Sequence, residues 1–261
     1  MPSIKKLYIG KSKSYKIYGE EIHGYLLEDL LNPADLDRLT VAFFHQFDNQ
    51  DLIWDKTLIT FAGRVHGMGR QRQMGKQRYV KIFDVSQDPG YYYQTAETIY
   101  NWADEINRDS LPPIFYKVIK ILEKQGPLAD EPGKWVPLRA HINVHEWEHC
   151  LEAHVDQDPS LFSGEFEDSR QYSVTVYLDE LSLGGEFWGD TDTGFVYKPK
   201  ANTALMVPGN KFLHGVNANM DEHKRPRKAF TVRFAHVDTL YLPGHPDKCL
   251  YRPASMDQIT A

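Results

Sequence analysis

From residue 137 onward, apolar and polar positions follow one another in short runs. PLRAHINVHEW (137–147), SVTVYLDE (173–180), GGEFW (184–188), GFVYK (194–198), TALMVP (203–208), FLHGV (212–216) and AFTVRFAHV (229–237) are rich in β-branched and aromatic residues. Gly, Pro, Asn and Asp fall between them. Side chains with a period of two fit a pleated strand with one buried face, so each run predicts a strand. Seven or eight short strands predict a jelly roll or small barrel.

The first half carries a different pattern. Asn32 and Pro33 suit an N-cap and first helical position, opening a helix through ADLDRLTVAFFHQF (34–47). LITFAGRV (58–65) and RYVKIFD (78–84) predict strands around a Gly-rich basic loop. Segments 91–109 and 113–126 predict two helices, parted by Leu111-Pro112-Pro113, with Gly126-Pro127 stopping the second. The expected organisation is a helix-rich region 1–136 packing on a β core 137–240, followed by a tail 241–261. The fold class is therefore mainly β with helical additions.

Composition narrows the setting. The 261 residues are 41% hydrophobic and 25% charged, ordinary for a soluble globule. The net charge of −6 argues against a wholesale nucleic-acid coat. Two cysteines, Cys150 and Cys249, suggest no disulfide framework. MPSIKKLYIGKSKSYKIYGEE has no apolar core of a signal peptide, and no apolar run reaches membrane-spanning length. A cytoplasmic protein is expected. The oligomeric state is not set by any of these features.

The candidate chemistry lies in the β half. His154-Val-Asp156 is followed far downstream by His214-Gly-Val216. Two imidazoles and one carboxylate can occupy one face of an octahedral metal and leave the other positions open. On a strand, His154 and Asp156 would project to the same side. The remote histidine would come from a strand folded back over the first.

With its neighbours, this triad resembles the double-stranded β-helix core (jelly roll, cupin-like) of the Fe(II)/2-oxoglutarate-dependent dioxygenase superfamily, in particular its prolyl-hydroxylase-like branch. The resemblance is carried in order by AHVD (153–156), VYLDE (176–180), GGEF (184–187), PKANTALMVPGNKFLHGV (199–216) and RKAFTVRF (227–234). It implies that His154, Asp156 and His214 bind Fe(II). It also implies 2-oxoglutarate and O2 as cosubstrates, ascorbate as a reductant, and release of succinate and CO2. Asp156 stands where halogenating relatives have Gly or Ala, which points to hydroxylation or a related oxidation. The substrate expected is a peptide, an amino acid or a small metabolite. For the distal cosubstrate carboxylate the resemblance picks Arg227, with Arg233 and Arg225 as further candidates and Tyr177 as a hydroxyl donor. A guanidinium suits a planar carboxylate. Asn143 falls where relatives contact the cosubstrate, and His145 where a tyrosine is common. Thr175 and Ser173 share the strand face of Tyr177. Trp135, Trp147 and Trp188 are candidates for the mouth, and Asp190 and Asp192 for a turn or a cationic substrate.

Other readings compete. His145-Glu-Trp-Glu-His149 satisfies HExxH, which on a helix would put two zinc ligands on one face, with Glu165 or Glu167 as a third. Position 152 is Glu where the extended metzincin pattern needs Gly, and this reading leaves GGEF and RKAFTVRF without a purpose. An AlkB-like nucleic-acid demethylase would use His154, Asp156 and Asp158, then Arg227 and Arg233, with Asn143 upstream. Its phosphate grip would be the basic loop 64–81, with Arg64, Arg70, Arg72, Lys76, Arg78 and Lys81. A binding jelly roll without activity is the non-enzymatic alternative.

Overall fold

The computed structural model describes residues 2–13, 17–48, 77–84, 113–156, 170–236, 241–242 and 245–249. The strand expected at 58–65, the helix at 91–109, the basic residues 64–76, and Asp158, Glu165 and Glu167 lie outside the described residues.

Strands β1 (Ser3–Lys11) and β2 (Glu21–Glu28) open the chain, followed by helix α1 (Pro33–Asp48) and strand β3 (Gln77–Asp84). Helices α2 (Pro113–Leu122) and α3 (Gly126–Asp130) precede a run of strands. These are β4 (Trp135–His145), β5 (Leu151–His154), β6 (Gln171–Tyr177), β7 (Phe187–Gly189), β8 (Val196–Tyr197), β9 (Thr203–Val207), β10 (His214–Val216) and β11 (Arg227–His236). A last hairpin joins β12 (Tyr241–Leu242) and β13 (His245–Cys249).

Two antiparallel sheets carry the fold. The larger has seven strands in the order β1-β2-β9-β6-β11-β4-β3, and the smaller has four in the order β5-β10-β7-β8. This is the expected double-stranded β-helix architecture, mainly β. The β1–β2 hairpin was not expected; it extends the large sheet through β2–β9 pairing. The helix expected over 113–126 ends at Leu122, and Gly126-Pro127 starts α3 instead of only stopping α2. The N-cap of α1 is as read: Asp35 N–H donates to Asn32 Oδ1 at 2.9 Å. Lys117 of α2 reaches Asp35 at 2.6 Å and ties the two helices together.

Alternation along β11 divides the large sheet into two functions. Phe230, Val232 and Phe234 are fully buried against Val174, Val176, Ile142, Ala140 and Met206 on neighbouring strands. α1 and α2 cover this layer with Leu39, Phe115, Val118, Ile119 and Leu122; Phe115 and Phe230 rings lie 5.1 Å apart. The intervening residues Arg227, Ala229, Thr231 and Arg233 share the opposite face. The register places His145, Asn143 and His141 beside them on β4, and Tyr177, Thr175 and Ser173 on β6. That polar face looks toward the small sheet. A second apolar cluster of Ile9, Ile22, Leu205, Val207, Phe187 and Phe212 seals the adjoining space. Among the described residues no helix is long and apolar enough to cross a membrane.

Candidate metal centre

His154 ends β5 and pairs directly with His214, the first residue of β10. Their ring centroids are 4.5 Å apart. Asp156 lies two residues past the end of β5, so the expectation of a single strand presenting both residues is not met. Its backbone N–H donates instead to Gly209 O at 3.0 Å, in the turn that leads toward β10. The expectation that the distal histidine folds back over the first is met.

One ligand atom from each of His154, Asp156 and His214 lies within 4.8 Å of the others. His154 Nε2 is 3.6 Å from Asp156 Oδ1, and His214 Nε2 is 3.7 Å from Asp156 Oδ2. The Nδ1 of His154 donates to Glu152 O at 2.8 Å, and that of His214 to Phe212 O at 3.1 Å. A carbonyl can only accept, so both Nδ1 atoms carry the hydrogen and both Nε2 atoms are directed at the carboxylate. Such carbonyl contacts fix the tautomer and aim of a ligating imidazole.

The electrostatics agree with a cation-binding site. Burial pushes the His214 imidazole down to about 4, reinforced by His154, so it is neutral at neutral pH. Burial acts on His154 in the same direction, but the adjacent Asp156 outweighs it and raises that ring. Burial would raise the Asp156 carboxyl; Arg233 and the two imidazoles overcome this and hold it well below the usual carboxylate range. An ionised carboxylate with two Nε2-directed imidazoles matches the donor set of a facial-triad Fe(II) site. The exposure is asymmetric: the His154 side chain is 35% exposed and that of His214 only 6%.

The neighbouring wall holds buried polar groups. Arg227 is buried, with its guanidinium carbon 5.1 Å from the centre of the Tyr177 ring. Its Nε, the Tyr177 hydroxyl and both ring nitrogens of His145 have no hydrogen-bond partner among the described residues. Leaving such groups unmet costs about 1–3 kcal/mol each, so they call for an explanation. Burial raises Tyr177 to about 12, offset partly by Arg227. Burial, and then the Arg227 charge, pushes His145 well below its ordinary value. The three residues therefore offer a cation, a neutral hydroxyl and a neutral imidazole on one sheet face.

Asn143 and Thr175 lie on the same face but face each other through Thr231. Asn143 Nδ2 donates to Thr231 Oγ1 at 3.2 Å, and Thr175 Oγ1 is 3.2 Å from the same oxygen. Thr231 was missed by sequence reading, although its even spacing from Arg227 and Arg233 would have marked it. Arg233 is turned to the triad: its Nη2 donates to Asp156 Oδ1 at 2.7 Å. Arg225 is half-exposed and paired with Asp221 at 2.7 Å, which removes it from the pocket.

Two other expectations are corrected, for HEWEH and for Trp135. His145 closes a strand and residues 146–150 form a turn, so HEWEH is not helical and the zinc-protease reading loses the helix it needs. Trp135 is buried in the main core, packed on Tyr172 and His236, and does not border the mouth. Trp147 is exposed under Lys224, whose Nζ lies 4.8 Å from its ring centre. Trp188 packs over Gly215. Asp190 pairs with Lys13 at 2.9 Å, and Asp192 accepts from Lys11 N–H at 2.6 Å, so both secure the β1 end.

No family model matches the sequence, and no curated protein matches it either. Among solved structures the chain is similar to the non-heme alpha ketoglutarate dependent carbocyclase SnoK from nogalamycin biosynthesis. The TM-score is 0.52 at 12% identity, over 84% of this chain and 82% of that one. An oxidoreductase of the 2OG-Fe(II) oxygenase family from Burkholderia pseudomallei aligns with a TM-score of 0.47 at 15% identity, over 80% of this chain and 84% of that one. A Pseudomonas putida prolyl-4-hydroxylase gives 0.45 at 13% identity, over 81% and 91%. The protein has a double-stranded β-helix fold, similar to that of this carbocyclase. Within that fold it carries a His-Asp-His cluster suited to a metal ion.

Proposed function

We propose that this protein is a non-haem Fe(II)- and 2-oxoglutarate-dependent oxygenase. Its reaction is hydroxylation of a peptide, an amino acid or a small metabolite, with release of succinate and CO2. The observation that carries this reading is the convergence of two Nε2-directed imidazoles and one ionised carboxylate at His154, His214 and Asp156.

Bound by these three residues, Fe(II) would supply open coordination positions for the 2-oxo acid and O2, and the redox chemistry that couples decarboxylation to substrate oxidation. The chain's own groups do the rest. Arg227 binds the distal carboxylate of the cosubstrate, Tyr177 donates its hydroxyl to the same group, and His145 offers a neutral ring N–H. All three are buried groups whose hydrogen-bonding capacity a carboxylate would satisfy. Asn143 and Thr175, joined through Thr231, line the polar wall. The apolar cluster around Phe187, Phe212 and Leu205 excludes water from one side. Substrate reaches the metal from the more exposed His154 side. Ascorbate would serve to keep the iron ferrous.

Anaerobic addition of 2-oxoglutarate to Fe(II)-loaded protein tests this reading. A visible metal-to-ligand charge-transfer band, followed in air by slow succinate release without added substrate, is the expected result. A chain that binds Fe(II) but shows neither band nor succinate refutes the assignment.

A further inference from the structure

Asp156 stands on a loop, so no strand ladder aims its carboxylate. Side chains do so instead. Oδ1, the oxygen nearer His154, accepts from Arg233 Nη2 at 2.7 Å. Oδ2, the oxygen nearer His214, accepts from Ser173 Oγ. Arg233 and Ser173 are register partners on β11 and β6, the middle of the seven-stranded sheet, and both are buried. Below them, Gly209 brings bare backbone against the carboxylate: a Cβ there would lie 2.1 Å from Oδ2.

Resting on the reading of the triad as a metal site, we infer that Arg233 and Ser173 are positioning residues that aim the Asp156 carboxylate at the metal, and that Arg233 does not bind the cosubstrate. The two oxygens are held by two different side chains, and each oxygen lies near a different imidazole. This sets the rotation of the carboxylate about its Cβ–Cγ bond. A guanidinium does this where an ammonium would not, because its planar fork reaches from a fixed β-strand position. Arg227, six residues earlier on the same strand face, is then the cation left for the cosubstrate. The two arginines of this face divide the work between metal ligand and cosubstrate.

Redox-silent Mn(II) as the metal probe, with 2-oxoglutarate binding measured separately at saturating Mn(II), tests the division. Ser173→Ala removes one clamp without changing charge, and Arg233→Lys keeps the charge while losing the fork. Each is expected to weaken Mn(II) binding about tenfold or more, as loss of groups that orient metal ligands does. The Co(II)-loaded variants are expected to show altered d–d spectra, and 2-oxoglutarate affinity at saturating metal to stay within about threefold of wild type. Thermal unfolding reports folding; Ser173→Ala, a single-atom deletion, carries the test if Arg233→Lys does not fold. Unchanged Mn(II) affinity and Co(II) spectra in both variants overturn the inference. A selective loss of 2-oxoglutarate binding in Arg233→Lys overturns it as well. A wild type that binds no metal overturns the triad reading, and this inference with it.

Discussion

Gly209 offers a direct way to disturb the site without touching a ligand. Its φ lies outside the left-handed region, so alanine fits the backbone there. The added Cβ, however, would sit 2.1 Å from Asp156 Oδ2 and 2.9 Å from its Cγ. Ordinary contacts lie near 3.5 Å, so the carboxylate must retreat by roughly 1.4 Å. That displacement breaks the Ser173 hydrogen bond, and a hydrogen bond to a charged group contributes about 1.5–3 kcal/mol. Gly194→Ala is the matched control. Gly194 has φ +61° and nothing within 4 Å of an added Cβ, so alanine there costs only backbone strain, about 1–2 kcal/mol. The two variants are expected to lose similar stability by chemical denaturation. Only Gly209→Ala is expected to lose metal affinity, by about tenfold or more in an Mn(II) titration. Wild-type affinity in Gly209→Ala would show that the observed aim of Asp156 does not matter for metal binding.

Other residues allow separate tests. Arg227→Gln is expected to raise the Kd for 2-oxoglutarate by about tenfold to a hundredfold, the loss of a charge-assisted pair, with Mn(II) affinity retained; equal cosubstrate affinity would remove Arg227 from the pocket. Phe230→Ala, deleting a fully buried ring against Phe115, is expected to cost about 3–5 kcal/mol of stability in urea unfolding; a loss under about 1 kcal/mol would place the ring outside the load of the core. Glu131 is held down to about 2, chiefly by its hydrogen bond from Arg170 and then by that from His236. Its folded value lies below its ordinary value of 4.5, so its stabilisation is present above that pH and is lost as pH falls toward 2. Because the pair is solvent-screened, Glu131→Gln is expected to cost under about 1 kcal/mol at neutral pH and to flatten the acid limb of stability between those values; an unchanged acid limb would contradict the sign.

The sequence was most legible where local pattern and burial coincide. β6 and β11 alternate cleanly because one face packs on the core and the other faces the site, and Arg227, Tyr177 and His145 could be placed on the polar face by parity alone. The N-cap at Asn32 was legible because capping is local. β1 was not: its SIKKLYIGK carries lysines and exposed Ile4 and Tyr8, the disguise of an edge strand, and its pairing depends on distant β9 through β2. Asp156 joins the His-Asp-His cluster, but not through the strand geometry that pointed to it. The strand that would have aimed it ends at His154, and the groups that do aim it, Ser173, Gly209 and Arg233, come from separate parts of the chain. No spacing rule links them. Trp135 misled because an indole has the same sequence appearance in a core as at a mouth.

The alternation of β11 has a consequence for how the protein can fail. One strand presents phenylalanines to the helices and arginines to the site, so the reading frame of the fold and that of the site are the same frame. A slip of one residue would drive Arg227 and Arg233 into the layer of Phe115 and Val118 and leave Phe230 and Phe234 facing the His-Asp-His cluster. Misregistered chains therefore carry buried guanidinium groups against aromatic rings and are selected against by their own instability. A correctly folded chain, by the same lock, has little freedom to hold a half-formed site: the arginines are in place whenever the core is.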